Sequence, residues 1–207
     1  MLRIALERRV GVREVARSAL DGVGDDHQGV AARIAAPHEL TDRQLAAHRF
    51  GPHDVVVVLD GITDPHNLGA AARTAEAAGA AMLVTRVRRS AGITPAAMRA
   101  SAGALAHLQL ARVTNLRRAV DALKDRGFTA IGLDGDAGRS IYDEPCPEGP
   151  VAVVVGSEGT GISRLVREGC DLLVAAPMLG AVGSLNASAA LAAVMYGYVL
   201  PSRDRTT

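Results

Sequence analysis

Three short polar loops carry most of the residues that could do chemistry in this chain of 207 residues. The first holds Asp64, His66 and Asn67, with Arg73 further along in the small-residue run GAAARTAEAAG. The second is the glycine turn GSEGTG, Gly156 to Gly161, whose only charge is Glu158. The third, Leu179 to Ser188, presents Ser184, Asn186 and Ser188 ahead of an apolar helix. Glycines permit a close backbone approach to a ligand, so the second loop suggests a binding turn. It does not suit a dinucleotide: it reads G-x-x-G-x-G rather than G-x-G-x-x-G, and Ala175 and Ala176 stand where an acidic residue would be needed about 20 positions on. Nor does it suit a nucleoside triphosphate, because it has no Lys. Glu158 would repel phosphate, which points to a ligand that is neutral or cationic where it meets the protein.

Each polar residue also has a structural reading. Asn67 is well placed as a helix N-cap, and Ser184 or Asn186 could cap the last helix. An arginine among alanines, as Arg73 is, could meet a phosphate or polarise a hydroxyl. No serine sits in a G-x-S-x-G elbow. His27, His38, His48, His53, His66 and His107 lack metal-ligand spacing, so no metal is expected. Transfer to an oriented hydroxyl from an already activated donor fits this inventory.

The elements that must position these loops follow from the apolar pattern. VVVVLD (Val55 to Asp60), AAMLVT, HLQLARV, FTAIGLD, VAVVVG and DLLVAAPM read as strands. Between them lie helical stretches, including Asn67 to Ala78, Asn115 to Arg126 and a short turn after Ser163. Near-continuous Val and Ala runs alternating with helices predict an α/β fold: a mostly parallel sheet with helices on both faces. The final helix, to about Leu200, is apolar on more sides than one covering layer needs, so a second subunit could pack against it. Residues 1–50 differ. GVREVARSAL has helical spacing, GVAARIA from Gly29 reads as a short strand, and Pro37 through His48 reads as a helix or a linker.

Composition bounds the rest. The chain is 48% hydrophobic and 22% charged, with few aromatics and a formal net charge of +1. That balance argues neither for nor against nucleic acid, although arginines gather at Arg86, Arg88 and Arg89 and at Arg112, Arg117 and Arg118. No apolar run approaches the ~18 residues of a membrane span, and no secretory signal is evident. Cys146 and Cys170 form no disulfide framework, so a cytoplasmic setting is expected.

Taken together, LDGITDPHNLGAAARTAEAAG (Leu59 to Gly79), VVVGSEGTGISRLV (Val153 to Val166) and VAAPMLGAVGSLNASAALAAVMY (Val174 to Tyr196) resemble the three motifs of the knotted RNA ribose 2'-O-methyltransferases of the SpoU/TrmH type. The resemblance implies a C-terminal deep trefoil knot, S-adenosylmethionine as cofactor, and a homodimer formed through the knot region and C-terminal helix. It implies cofactor contacts at Gly156, Gly161, Ala176, Met178 and Leu185, largely through backbone atoms. It assigns Asn67, Arg73, Glu158, Ser184 and Asn186 to catalysis, with Arg73 on the substrate phosphate, in one arrangement across the subunit interface. Gly183 and Ala187 replace a serine and a valine found in many members. The expected domains are a remnant of a small ribosomal-protein-like RNA-binding domain over residues 1–36, its first half missing, a linker over 37–53, the methyltransferase domain over 54–201 and a polar tail over 202–207. In the first of these, His27 and Gln28 could touch RNA. The implied substrate is a guanosine of large-subunit (23S) ribosomal RNA. Transfer RNA, a resistance-type ribosomal site, or a non-catalytic RNA-binding or ribosome-assembly role are the alternatives.

Overall fold

The computed structural model describes residues 2–22, 27–143 and 145–203. The chain divides into two compact units, residues 1–36 and 37–207. The first contains helices α1 (Leu2–Glu7) and α2 (Ser18–Asp21). The helix expected from Gly11 is confined to α2, and the strand expected from Gly29 is not formed. Ile4, Val12, Val15, Val30 and Ile34 are all exposed there. Helices this short are marginal without packing, and a strand needs a neighbour to pair with. Residues 23–26 of the expected polar turn and 204–207 of the expected tail lie outside the described residues.

The second unit is a parallel sheet of strands β1 (Glu39–Leu40), β2 (Val55–Asp60), β3 (Met82–Arg86), β4 (Gln109–Val113), β5 (Thr129–Leu133), β6 (Val151–Gly156) and β7 (Leu172–Val174). The order is β1-β4-β3-β2-β6-β5-β7, and every pairing is parallel. Residues 37–53, expected as a linker, instead supply β1 and helix α3 (Asp42–Ala47). Two strand residues with intermediate burial are too few to read from a pattern. Pairing with β4 and the contacts of α3 on α6 make them part of the unit.

Strand alternation sends side chains to two cores. Val55, Val57 and Leu59 join one core with the helices α4 (Pro65–Ala77), α5 (Pro95–Ala100) and α8 (Ala187–Val194). Val56 and Val58 join the other with α6 (Leu116–Lys124) and the short α7 (Arg164–Arg167). Burial on both faces explains why the strands are apolar throughout rather than alternating. On α6, Leu116, Val120 and Leu123 are fully buried, each contributing roughly 1.5–3 kcal/mol of transfer free energy. After α8 the backbone takes a π-helical turn over Met195–Val199 before α9 (Leu200–Arg203). No helix among the described residues is long and apolar enough to cross a membrane.

The chain winds from β2 through β3 to β4 on one side, then crosses to build β5 and β6 on the other. The reversal falls between β2 and β6, and the crevice at the carboxyl ends of such strands is the usual ligand position in open α/β sheets.

Helix α4 is held close to α5 by Gly69. A Cβ there would lie 2.5 Å from the Ala97 carbonyl oxygen and 2.6 Å from the Ala100 Cβ. Gly69→Ala should therefore destabilise by on the order of 1–3 kcal/mol through overpacking, although alanine alone would favour the helix by roughly 1 kcal/mol. Urea denaturation midpoints measure the difference; a stabilised variant would show that α5 yields without cost.

Candidate active site

The parallel register sets Asp60 beside Gly156, so the loops leaving β2 and β6 start at the same edge. After Gly156 the backbone folds straight back. A Cβ on Gly156 would sit 2.0 Å from the Gly161 carbonyl carbon, a separation only glycine tolerates. Ser157 and Gly161 close the turn with two backbone bonds, Ser157 N–H to Gly161 O at 3.2 Å and Gly161 N–H to Ser157 O at 2.9 Å. The Ser157 and Thr160 hydroxyls bond across it at 2.6 Å. Glu158 is carried at its tip.

Helix α4 starts earlier than the sequence pattern suggests. Asp64, not Asn67, is its N-cap: the Asp64 carboxylate accepts from the His66 N–H at 2.9 Å, with Pro65 in the first turn. That bond from the His66 backbone also holds Asp64 below its ordinary pKa. Relieved of capping, Asn67 joins the other two loops. Its Nδ2 donates to Glu158 Oε1 at 3.1 Å, and its Oδ1 accepts from Asn186 Nδ2 at 3.0 Å. Asn186 also caps α8. Its Oδ1 accepts from the backbone N–H of Ser188 at 2.8 Å and of Ala189 at 3.3 Å, and from the Ser188 hydroxyl at 2.6 Å. Three sequence-distant loops thus meet in one directional chain, Asn186 to Asn67 to Glu158.

Beside this chain lies a cavity of about 520 Å³. Gly156, Gly161, Ala176, Met178 and Leu185 line it, as do Glu158 and Ser184. Val155, Val174 and Val194 supply apolar wall. Asn67 and Asn186 are not on the wall: Asn67 bonds Glu158, which is, and Asn186 stands between the lining residues Leu185 and Ala187. Arg73 is not brought into the group. It lies on the exposed face of α4 and makes no hydrogen bond or ion pair among the described residues. In the first unit, both ring nitrogens of His27 are used locally, by Asp21 at 3.1 Å and by the Gly29 N–H at 2.9 Å. Gln28 is exposed, with a positive φ of 45°.

Sequence reasoning missed four residues. Asp134, Asp136 and Arg167 line the cavity, and Arg167 pairs with Asp134. The Arg167 guanidinium holds the Asp134 carboxyl below the usual carboxylate range, against the opposing effect of partial burial. GLDGDA is a polar turn at the end of a strand, the same signal that singled out Glu158. The fourth is Asp60, only 3% exposed. Its carboxylate accepts from the Ser163 N–H at 2.8 Å and from Arg86 Nη2 at 3.0 Å, pinning the exit of the glycine turn to β2 and β3.

The cavity is chemically biased. Three carboxylates, Asp134, Asp136 and Glu158, face one cation, Arg167, which is already paired. Neither thiol lines it, and burial pushes the Cys170 thiol up to about 11, so it stays protonated. Among the described residues no group of three His, Cys, Asp or Glu side chains converges as a metal site. The arrangement offers a cationic or neutral ligand a pocket lined by glycines, apolar side chains and carboxylates, with hydrogen-bonding groups at one end.

Comparison with known proteins adds an independent line. A family model described as the SpoU rRNA Methylase family matches residues 54–196. The 23S rRNA (guanosine-2'-O-)-methyltransferase RlmB of Pseudomonas putida is 40% identical over 200 residues, covering 95% of this chain and 80% of that protein. The protein of the same name from Photobacterium profundum is 41% identical over 184 residues, covering 87% of this chain and 75% of that protein. The SpoU methyltransferase AviRb from Streptomyces viridochromogenes, solved in complex with the cofactor AdoMet, superposes with a TM-score of 0.68 at 29% identity, over 76% of this chain and 62% of that one.

The two asparagines should be separable. Asn67→Ala removes side-chain bonds worth about 0.5–1.5 kcal/mol each. Asn186→Ala removes one of those and the α8 cap as well, a further 0.5–2 kcal/mol or so. Thermal melts should rank Asn186→Ala as the more damaging; the reverse order would mean that the cap contributes less than the Asn67–Glu158 bond.

Proposed function

Because the chain belongs to the SpoU rRNA methylase family, we propose that it transfers a methyl group from S-adenosylmethionine to a ribose 2'-hydroxyl of RNA, with a guanosine of 23S ribosomal RNA as the acceptor. The observation that carries this reading is the cavity walled by the glycine turn and joined, through Glu158, to Asn67 and Asn186. The acceptor assignment draws on the relatives named for that reaction. Ribosomal RNA as substrate implies work in the cytoplasm.

The residues present fit the cofactor. Bound S-adenosylmethionine supplies a methyl group already activated on a cationic sulfonium. Excess carboxylate around the cavity favours a cation, and the absence of an unpaired Lys or Arg from its lining avoids repulsion. Gly156, Gly161, Ala176, Met178 and Leu185 would hold it, chiefly by backbone and apolar contact.

The remaining residues serve the acceptor. Asn186 and Asn67 fix the Glu158 carboxylate in one orientation at the cavity, leaving Glu158 Oε2 to accept from a polar group. Ser184 brings a hydroxyl to the same wall. A ribose hydroxyl is a poor nucleophile in water, so holding it in place should supply much of the rate. Arg73, unpaired on the outer face of α4, would grip the substrate phosphate. Its distance in sequence from the Asn67 network along one rigid helix favours action on the site of a second subunit. The exposed apolar residues Leu179, Val182 and Tyr196 support such a homodimer. A knotted passage of the chain after β7 would bring the 174–186 segment to this cavity. Residues 1–36, with Gln28 exposed, would serve RNA capture.

Incubating the protein with labelled S-adenosylmethionine and unmodified ribosomal RNA should give ribose methylation, located by nucleoside mapping. Mapping to transfer RNA would replace the acceptor. Calorimetry without S-adenosylmethionine binding would overturn the reading in favour of a non-catalytic RNA-binding module. Arg73→Ala should cut turnover at least a hundredfold (about 2.7 kcal/mol) while preserving cofactor affinity; undiminished turnover would remove Arg73 from the reaction.

A further inference from the structure

A second recess opens on the same edge of the sheet, on the opposite side of β2 from the cofactor cavity. It has a volume of about 460 Å³ and lies at the carboxyl end of β3, between the start of α6 and α7. Six of its eight lining residues carry polar or cationic side chains, Arg86, Arg117, Arg164, Thr114, Asn115 and Ser163, the others being Leu165 and Val166. One backbone segment serves both recesses. Ile162 lines the cofactor cavity and Ser163, the next residue, lines this one. Their Cα atoms are therefore about 3.8 Å apart.

The three arginines share one arrangement. Each donates to a carboxylate and keeps guanidinium N–H groups unused. Arg86 Nη2 donates to Asp60 at 3.0 Å, while its Nε is buried without an acceptor. Arg117 Nε donates to both oxygens of Asp121, at 2.9 and 3.0 Å, and its Nη1 to the Leu165 carbonyl at 3.1 Å, which leaves Nη2. Arg164 Nη1 donates to Glu168 at 2.8 Å, and its side chain is 80% exposed. A guanidinium held at one edge loses less rotamer freedom when the other edge binds, and its planar fork matches a phosphate. The Asn115 side chain adds a donor, because only its Oδ1 is occupied, capping α6 through the Arg118 N–H.

The acids do not cancel the charge of this region. Asp60, Asp121 and Glu168 offset the three lining arginines, and Asp42, hydrogen-bonded by Thr114, adds one further negative charge. Arg118 follows the lining residue Arg117 directly, and Arg88 and Arg89 lie two and three positions beyond Arg86; all three are exposed and have side chains without ion pairs among the described residues. They are a surplus of positive charge beside the recess.

We propose that this recess is a phosphate-binding site for the RNA backbone, engaging a nucleotide that flanks the one presented to the cofactor cavity. The proposal rests on RNA being the methyl acceptor. Asp60 ties the two sites together: it orients Arg86 in the recess and holds the Ser163 N–H at the exit of the glycine turn.

The test is fluorescence anisotropy of a labelled RNA hairpin, titrated across a range of KCl concentrations, with S-adenosylmethionine calorimetry on the same preparations. The Arg117→Gln/Arg164→Gln double variant should bind the hairpin roughly three- to tenfold more weakly, and its salt slope should drop by roughly one unit per arginine that contacts phosphate. Its cofactor affinity should equal that of the parent. Unchanged RNA affinity and slope with intact cofactor binding would overturn the proposal. Should the double variant lose cofactor binding as well, Arg164→Gln alone, a lining residue whose side chain is 80% exposed, is read in the same way: a lowered slope supports the site and an unchanged one overturns it. Failure of the parent protein to methylate RNA would instead overturn the proposed function, and that assay does not depend on the salt slope.

Discussion

The six-residue parallel ladder between β2 and β6 is the constraint from which the rest follows. Parallel strands end at a common edge, so pairing Val55 with Val151 obliges Asp60 and Gly156 to end together. Residues about a hundred positions apart are thereby delivered to one place before any side chain makes a contact. Burying that ladder on both faces, with helices α4 and α8 below and α6 above, makes the edge rigid. The loops can then be short, polar and locally strained, because the strands beneath them cannot move apart.

Two polar devices, one exposed and one buried, convert this edge into a site. The amide chain from Asn186 through Asn67 to Glu158 has one direction only, because the cap on α8 consumes Asn186 Oδ1 and leaves its Nδ2 to donate. Helix geometry therefore decides the orientation of a carboxylate on another loop. Asp60 does the corresponding work underneath, where a nearly inaccessible carboxylate is acceptable because it is paired with Arg86 and bonded to a backbone N–H. The first device faces the cavity; the second fixes the turn that carries Glu158.

What the sequence makes legible depends on how far each residue's partners are. Strands such as VVVVLD and VAVVVG announce themselves, because burial on both faces makes every position apolar. The glycine turn was readable from Gly156, Gly159 and Gly161, and its polarity from Glu158. By contrast, β1 exists only because β4 lies alongside it, and nothing in Glu39–Leu40 encodes that. Asn67 looked like a cap because the local rule cannot tell which of Asp64 and Asn67 begins the helix; Pro65 and the Asp64 bond decide it. Asp134 reads as the end of the strand FTAIGLD and Arg167 as part of the short helical stretch after Ser163, and their pairing across 33 positions is a product of the fold. In the first unit, GVAARIA has strand-like residues but no strand to pair with among the described residues.

The π turn at Met195–Val199 sets a length rule on the end of the chain. A π turn holds one residue more than the regular ladder around it would accept. Removing a residue from the regular helix α8 ahead of it would rotate everything beyond by roughly 100°, turning Tyr198 and Val199, now buried, away from the core. The interval between the Asn186 cap and Pro201 therefore tolerates exchange of side chains far better than insertion or deletion, so drift in this segment should proceed by substitution at constant length.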